Sequence, residues 1–546
     1  MPRSLLLFLA TAVAAVAAWA QPWVPDPMEP VSSGGLAAVD RALARLSVHA
    51  RLLVIGAHPD DEDNALLTWV ARGFGGEAAY LSLSRGEGGQ NLIGSELGVE
   101  LGAVRTGELL AARRLEGSRQ YFARAYDFGY TRSLEETFER WPRQVLREDA
   151  VRVVRRFKPQ VIVAVFPADE RAGHGQHQAS AVMAAEAFEL AAEGSVLPGL
   201  PETPWSPAAL YRRAWRPEEA THGYSLAPLD PVSGRSLGQL AAASRSFHRS
   251  QDMGREQLAG PTRGGLVWIA GGARGDGEGP FAGVDTGLGA IAGSLPAGPL
   301  RERLAELLAR VEKAAREARG RLAPMSVEAV VPELAEIVDL LAEARNELAP
   351  GGPEARAARE LVAEKAEIAG YALAAAAGVV IEATADRETV AAGGSLDVEA
   401  SVWTATGAEV VVRGIDLLVE VGWRAEPIPT EEGGEETIDR RRFRVTVPAG
   451  ALATVPYYLR QPRRGDLYDW RPMPARARGE PLAPPPLRVR FDLQIDVGIN
   501  LYLTESFPPF VLAPANLGAC NISPIPLNLS GWDLVGMAGY SPRFVR

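Results

Sequence analysis

"RLLVIGAHPDDEDN", residues 51–64, begins as an apolar run and ends with one histidine and four acidic residues in six positions, His58 to Asp63. A continuous apolar run closed by turn residues reads as a strand buried on both faces. Its first strongly polar side chain, His58, then emerges at the carboxyl end, where ligands sit in parallel α/β sheets. Pro59 stiffens the turn and biases His58 towards an extended backbone. Asp60 and Asp61 are sequence neighbours, so their side chains diverge, and one is free to hold a metal while the other faces a substrate. Glu62 and Asp63 read as support for the site or as the start of the next helix.

A second stretch repeats this syntax. "PQVIVAVFPADERAGHGQHQAS", residues 159–180, is again an apolar strand, a loop, and histidines where a helix begins. His174 and His177 are three apart, which places them on one face of a helix. Together His58, Asp61 and His177 would supply two imidazoles and a carboxylate from two strand ends, the donor set of a catalytic zinc site with an open position for water. A binuclear or Mg²⁺ phosphatase-like site is another use for Asp60, Asp61, Glu62 and Asp63.

Composition narrows the classes. The net charge of −11 over 546 residues lacks the clustered basic excess of a nucleic-acid binder. The single cysteine, Cys520, excludes an intrachain disulfide framework and any multi-cysteine metal site. A metal must therefore use carboxylates and some of the six histidines. The leader "MPRSLLLFLATAVAAVAAWAQPW" orders a basic residue, an apolar stretch and Ala18-Trp19-Ala20 as a secretory signal peptide does, with cleavage after about Ala20. The expectation is an exported, periplasmic or extracellular protein with no transmembrane segment in its mature chain.

The expected organisation is a signal peptide (1–20), a leader with a short helix (21–50) and an α/β layer with a mainly parallel sheet (51–290). A small helical bundle (291–377), a β-sandwich-like unit (378–506) and an unassigned tail (507–546) follow. Alternating strands and helices give the first layer. Ala, Leu, Glu and Arg at helical spacing give the bundle. Alternating apolar and polar residues between Gly-rich turns give the sandwich. Residues 194–290 mix strand-like pieces with long loops of the kind that carry binding elements. Oligomeric state is left open.

"AHPDDE" (57–62), "SLSRGEGGQN" (82–91), "RTGELLAA" (105–112) and "HGQH" (174–177) resemble the PIG-L (LmbE-like) family of zinc-dependent N-deacetylases across about residues 50–290. The resemblance implies a Rossmann-like catalytic layer. It also implies zinc, or Fe²⁺, on His58, Asp61 and His177, with Asp60 as the general base that deprotonates the metal's water. His174 matches the residue that steadies the oxyanion. Arg105 matches a substrate-contacting arginine, with a surface ion pair to Glu108 as its plain alternative. Arg85, Glu87 and His248 are further expected pocket residues. Relatives with H-P-D-H carry an aspartate where Gln176 stands. That leaves the partner of His174 open, with Asp169 or Glu170 as replacements.

The expected activity is removal of an N-acetyl or other N-acyl group from an N-acetylglucosamine-type sugar or glycoconjugate. A carbohydrate-binding or interaction protein that uses the layer as a scaffold is the alternative from another class. A different metal-dependent amidase or phosphoesterase is the third.

Overall fold

A computed structural model describes residues 35–195, 199–272, 275, 277–404, 410–429, 438–495, 499–507 and 510–512. The signal-peptide reading, most of the leader and nearly all of the tail, Cys520 included, lie outside the described residues. Among those described, no helix is long and apolar enough to cross a membrane.

The α/β layer is a seven-stranded sheet of order β3-β2-β1-β4-β5-β7-β6. Its strands are β1 (Arg51–Gly56), β2 (Glu77–Ser82), β3 (Arg119–Phe122), β4 (Val161–Ala164), β5 (Ala209–Arg213), β6 (His222–Ser225) and β7 (Arg263–Gly271). The first five run parallel. β7 is antiparallel to both β5 and β6, so residues 194–290 complete the sheet as well as forming loops. The order reverses at β1, which lies between β2 and β4. That is the topological switch point at which an open α/β sheet forms its crevice.

Alternation along β1 explains its unbroken apolar run. Leu52 and Val54 pack with Leu66, Leu67 and Val70, whereas Leu53 and Ile55 pack on the opposite face with Val151, Val154 and Met183. Helices α2 (Asn64–Thr68) and α3 (Val99–Glu116) contribute to the first face, and α5 (Arg143–Phe157) and α6 (Gly175–Leu190) to the second. Asp63 caps α2, its Oδ1 accepting the Leu66 N–H at 3.1 Å. Pro142 separates α4 (Leu134–Arg140) from α5, as its missing N–H requires. α7 (Leu237–Arg245) starts with a capping box between Ser236 and Gln239.

Helices α8 (Pro299–Arg321), α9 (Val331–Leu348) and α10 (Arg356–Ala376) form the bundle, joined by α1 (Gly35–Leu46). Val39, Leu43 and Leu46 of α1 bury against this bundle rather than against the sheet that follows them in sequence. Beyond it, beside a short parallel pair of β9 (Thr389–Ala391) and β16 (Phe510–Leu512), lie a four-stranded sheet with strands β8 (Val379–Ala385), β10 (Ser395–Thr404), β12 (Arg424–Ile428) and β13 (Ile438–Thr446), and a three-stranded sheet with β11 (Val410–Val419), β14 (Leu487–Ile495) and β15 (Ile499–Phe507). Both are antiparallel and share one continuous apolar core with the bundle.

The bundle meets the α/β layer at the sheet's N-terminal edge, opposite the crevice. Glu77, the first residue of β2, accepts from Arg51 at 2.7 Å, Lys365 at 2.9 Å and Arg119 at 3.3 Å. Lys365 is buried and also donates to the carbonyl oxygens of Arg45 and Val48. Removing one partner of such a buried set strands the opposite charge. Glu77→Ala is expected to lower unfolding free energy by about 3–5 kcal/mol in denaturant titration. One turn along α10 from Glu364, burial and the Glu364 charge push the Glu367 carboxyl up to about 7. A carboxyl raised in the folded state contributes stability that is full below its unfolded pKa and is lost as pH rises through its folded one. Glu367→Gln should therefore raise the melting temperature relative to wild type at pH 8 and leave it nearly unchanged below pH 5.

Candidate metal centre

The crevice is built by the loops that leave β1 and β4. After β1, the Asp61 carboxylate folds back on the strand end, its Oδ2 accepting the N–H groups of Ala57 at 3.0 Å and His58 at 2.8 Å. Tyr80 from β2 donates its hydroxyl to the His58 carbonyl at 2.6 Å. His58 is thereby fixed in backbone before its side chain is considered. After β4, His174 is the N-cap of α6 in an extended conformation, and His177 lies in the first helical turn. The His174 and His177 ring centroids are 3.7 Å apart, so both histidines reach the same site.

The two outer ring nitrogens of the expected ligands are engaged. His58 Nε2 donates to Gln176 Oε1 at 3.1 Å, and His177 Nδ1 donates to the Ala172 carbonyl at 2.9 Å. This leaves His58 Nδ1 and His177 Nε2 as the nitrogens that face Asp61, each 3.3 Å from one of its carboxylate oxygens. Two donors bound to one tetrahedral zinc at about 2.0–2.1 Å stand about 3.3–3.4 Å apart; each imidazole nitrogen keeps that distance to a different oxygen of Asp61, Oδ2 for His58 and Oδ1 for His177, so the donor types suit such an ion with the carboxylate between the two rings. Tying the second ring nitrogen is also the usual way to orient a metal-binding histidine. His58, His174 and His177 form a second grouping, their ligand atoms within 4.8 Å of one another. The His174 Nδ1, though buried, has no hydrogen-bond partner. Burial pulls the His58 imidazole down, but the Asp127 and Asp61 carboxylates outweigh it and hold it up at about 9. Burial and the neighbouring His177 and His58 push the His174 imidazole the other way, down to about 4.

Asp60 occupies the left-handed region, φ 94°, where a non-glycine residue is costly and has to be held. Four contacts hold it. Its N–H donates to Glu62 Oε2 at 2.9 Å and its carbonyl accepts from Arg245 at 3.1 Å. Arg105 Nη2 reaches both the Pro59 carbonyl and, at 2.9 Å, Asp60 Oδ1. Burial pushes the Asp60 carboxyl up, with Arg105 pulling it back. Glu62 is itself fully buried and is met by His248 at 2.5 Å and Arg113 at 3.0 Å. His248, Arg113 and the Glu62 hydrogen bonds hold its carboxyl well below the usual range despite burial.

Several expected pocket residues are thus committed to protein partners. Arg105 is buried and binds Asp60, Pro59 and the Gly86 carbonyl, while Glu108 turns instead to the N–H and hydroxyl of Ser250 at 2.7 and 2.6 Å. His248 lies under the loop against Glu62, with no exposed surface. Arg85 is held between the Phe122 and Tyr458 rings at 4.0 and 3.6 Å. Glu87 accepts the Asp127 N–H at 3.0 Å. Gln176 orients His58 and leaves His174 alone, and Asp169 pairs with exposed Arg171. Asp169 therefore does not stand in for the H-P-D-H aspartate at His174.

Asp127 is a site residue that the motifs did not mark. Its Oδ1 accepts from Gln176 Nε2 at 3.1 Å and its Oδ2 is 3.9 Å from His58 Nε2. It follows the end of β3, the same strand-end position that exposed the other two clusters. The glycines of "RGEGG" make room for these groups. A Cβ on Gly89 would lie 2.6 Å from Arg105 Nη1, and one on Gly88 would lie 2.7 Å from Asp127 Oδ1.

Two solved structures show local likeness. One is an N,N'-diacetylchitobiose deacetylase from Pyrococcus horikoshii, bound to an inhibitor, at 19% identity and a TM-score of 0.29, covering 37% of this chain and 71% of that one. The other is the 4-carboxy-2-hydroxymuconate hydratase of Pseudomonas putida, at 18% identity and a TM-score of 0.31, covering 42% of this chain and 99% of that one. The family model described as PIG-L: GlcNAc-PI de-N-acetylase matches residues 53–188, from inside β1 to the end of α6. The matched segment carries His58, Asp60, Asp61, Asp127, His174 and His177.

Proposed function

We propose that the protein is a metal-dependent N-deacetylase that hydrolyses the acetamido group of an N-acetylglucosamine-type saccharide or glycoconjugate. His58, Asp61 and His177 hold Zn²⁺, Asp60 is the general base and His174 faces the substrate. The observation that carries this reading is the pair of imidazole nitrogens turned to Asp61, each 3.3 Å from one of its carboxylate oxygens, with Asp60 fixed in the adjacent position. His174 is placed outside the ligand set because its Nδ1 lacks the partner that orients His58 and His177. Ferrous iron accepts the same nitrogen and oxygen donors.

A metal in this site supplies a water nucleophile at neutral pH and polarises the amide carbonyl. The protein's residues do the rest. Arg105 occupies Asp60 Oδ1 and leaves Oδ2 to accept a proton from the attacking water. As the water oxygen adds to the amide carbon, the carbonyl electron pair moves to oxygen, where a His174 ring N–H donates. The C–N bond then breaks as the proton held by Asp60 passes to nitrogen, giving an amine and acetate.

The saccharide assignment also draws on a row of rings across the site. Tyr130, His174, His177, Phe166 and Trp215 follow one another with centroid separations of 5.6, 3.7, 3.7 and 5.7 Å. The two ends are open, Tyr130 being 72% and Trp215 51% exposed. Trp215 is fixed by donation of its indole N–H to the Val165 carbonyl at 3.2 Å. Exposed, anchored aromatic faces beside polar groups suit the apolar face of a pyranose.

Purified protein is expected to hold about one metal per chain and to release acetate from N-acetylglucosamine oligomers. Chelation should abolish that release and Zn²⁺ should restore it. Asp60→Asn should retain the metal and lose about 10²–10⁴-fold in kcat; full activity in this variant would refute the role of the base. Trp215→Ala should raise KM roughly 2- to 10-fold with kcat little changed, equivalent to about 0.5–1.4 kcal/mol of lost stacking, as measured by steady-state kinetics on the oligomer.

A further inference from the structure

The C-terminal unit reaches into the catalytic layer. Between β13 and β14 the chain leaves the β-sheets and lies along β3, the edge strand. The Phe122 N–H donates to the Gly479 carbonyl at 2.9 Å, Tyr126 N–H to Asp466 at 2.9 Å and Tyr468 N–H to Arg124 at 2.8 Å. Ala125 and Leu467 form a β-bridge. Four aromatic residues of this segment, Tyr457, Tyr458, Tyr468 and Trp470, are buried as a separate apolar cluster. An edge strand needs cover, and cover alone would account for the backbone contacts. It does not account for what the Tyr468 side chain does.

The Tyr468 hydroxyl donates to Glu87 Oε1 at 2.6 Å. The other oxygen of Glu87 accepts the Asp127 N–H at 3.0 Å. The Asp127 carboxylate accepts from Gln176 Nε2 at 3.1 Å, and Gln176 Oε1 accepts from His58 Nε2 at 3.1 Å. Every member of this series is buried, with Tyr468 2%, Glu87 3%, Asp127 4% and Gln176 1% exposed. Water therefore does not replace a missing member, and the direction of each donor fixes the next acceptor. Gly102 lacks the side chain that would bring a Cβ to 2.7 Å from Glu87 Cγ, so the carboxylate is seated against the α3 backbone.

We propose that Tyr468 is a positioning residue for the metal ligand His58, acting through Glu87, Asp127 and Gln176, so that the C-terminal unit completes the metal site. This rests on the reading of His58 as a ligand. Outer partners of a metal-binding histidine set its ring orientation and which nitrogen is left free, and their loss weakens metal binding.

The test uses the full chain, stripped of metal and titrated with Zn²⁺ against a competing chelator. Tyr468→Phe, which keeps the ring and its packing, should weaken Zn²⁺ binding about 10-fold, the low end for outer partners, with secondary structure unchanged by circular dichroism. Tyr457→Phe is the control. It lies on the same segment and its hydroxyl serves only that segment, donating to the Glu480 carbonyl at 2.8 Å and accepting from the Gly479 N–H at 3.2 Å. It should leave Zn²⁺ affinity unchanged. Combining Tyr468→Phe with Gln176→Ala should give less than the sum of the two single effects. Unchanged affinity in Tyr468→Phe, equal loss in Tyr457→Phe, or strict additivity with Gln176→Ala would each overturn the proposal. Should Tyr468→Phe fail to fold, Glu87→Gln carries the same expectation and the same refutation. Asp61→Asn separates the two levels. If wild type binds no Zn²⁺, or if Asp61→Asn binds it as wild type does, the ligand reading itself falls.

Discussion

A carboxylate with no access to water, Glu62, governs the shape of the site. It accepts the N–H of Asp60, pairs with Arg113 and is hydrogen-bonded to His248, from two other elements. Buried carboxylates are tolerated only when paired and hydrogen-bonded, so the surrounding helices have to converge on it. In doing so they hold Asp60 at φ 94°, a conformation the loop would not keep unaided. That turn separates two adjacent aspartates into different jobs. Asp61 folds back on the strand end between the imidazoles, while Asp60 is directed to Arg105. The strain is local, and the means of holding it is spread across α3, α7 and the turn after α7.

Much of this was legible in the residues, because apolar runs that stop abruptly at polar clusters leave few alternatives. β1 and β4 were visible as such runs, and the crevice between them follows from the strand order. The break at Pro142, the three bundle helices and the alternating strands were equally direct. What could not be read was reciprocity. Gln176 stands where the family's aspartate would serve its near neighbour His174, but it bonds His58 from the other loop. His248 and Arg85 are expected in the pocket from the family resemblance, yet both are buried against protein partners. Asp127 carries no motif. Only the rule that strand ends in a parallel sheet converge would have pointed to it.

The later part of the chain also reads differently once its contacts are known. As a composition shift it resembles an attached bundle and an attached sandwich. In the fold, both share one apolar core, α1 from the start of the described chain joins them, and a long connection between two of their strands covers β3. The catalytic layer is held from both ends: by the Glu77 cluster at the N-terminal edge of its sheet, and by the aromatic segment beside the crevice.

The position of α1 has a consequence for how the chain is made. Lys365 donates to the Arg45 carbonyl across 320 residues of sequence, and the whole parallel sheet lies inside the loop so closed. Contacts of such separation form late, after the entropy of closing the loop has been met. On a ribosome that synthesises from the N-terminus, the apolar face of α1 has no native partner until the bundle emerges. The helix is thus an early-made part that waits for its place. In that interval Val39, Leu43 and Leu46 are surface that a chaperone could recognise.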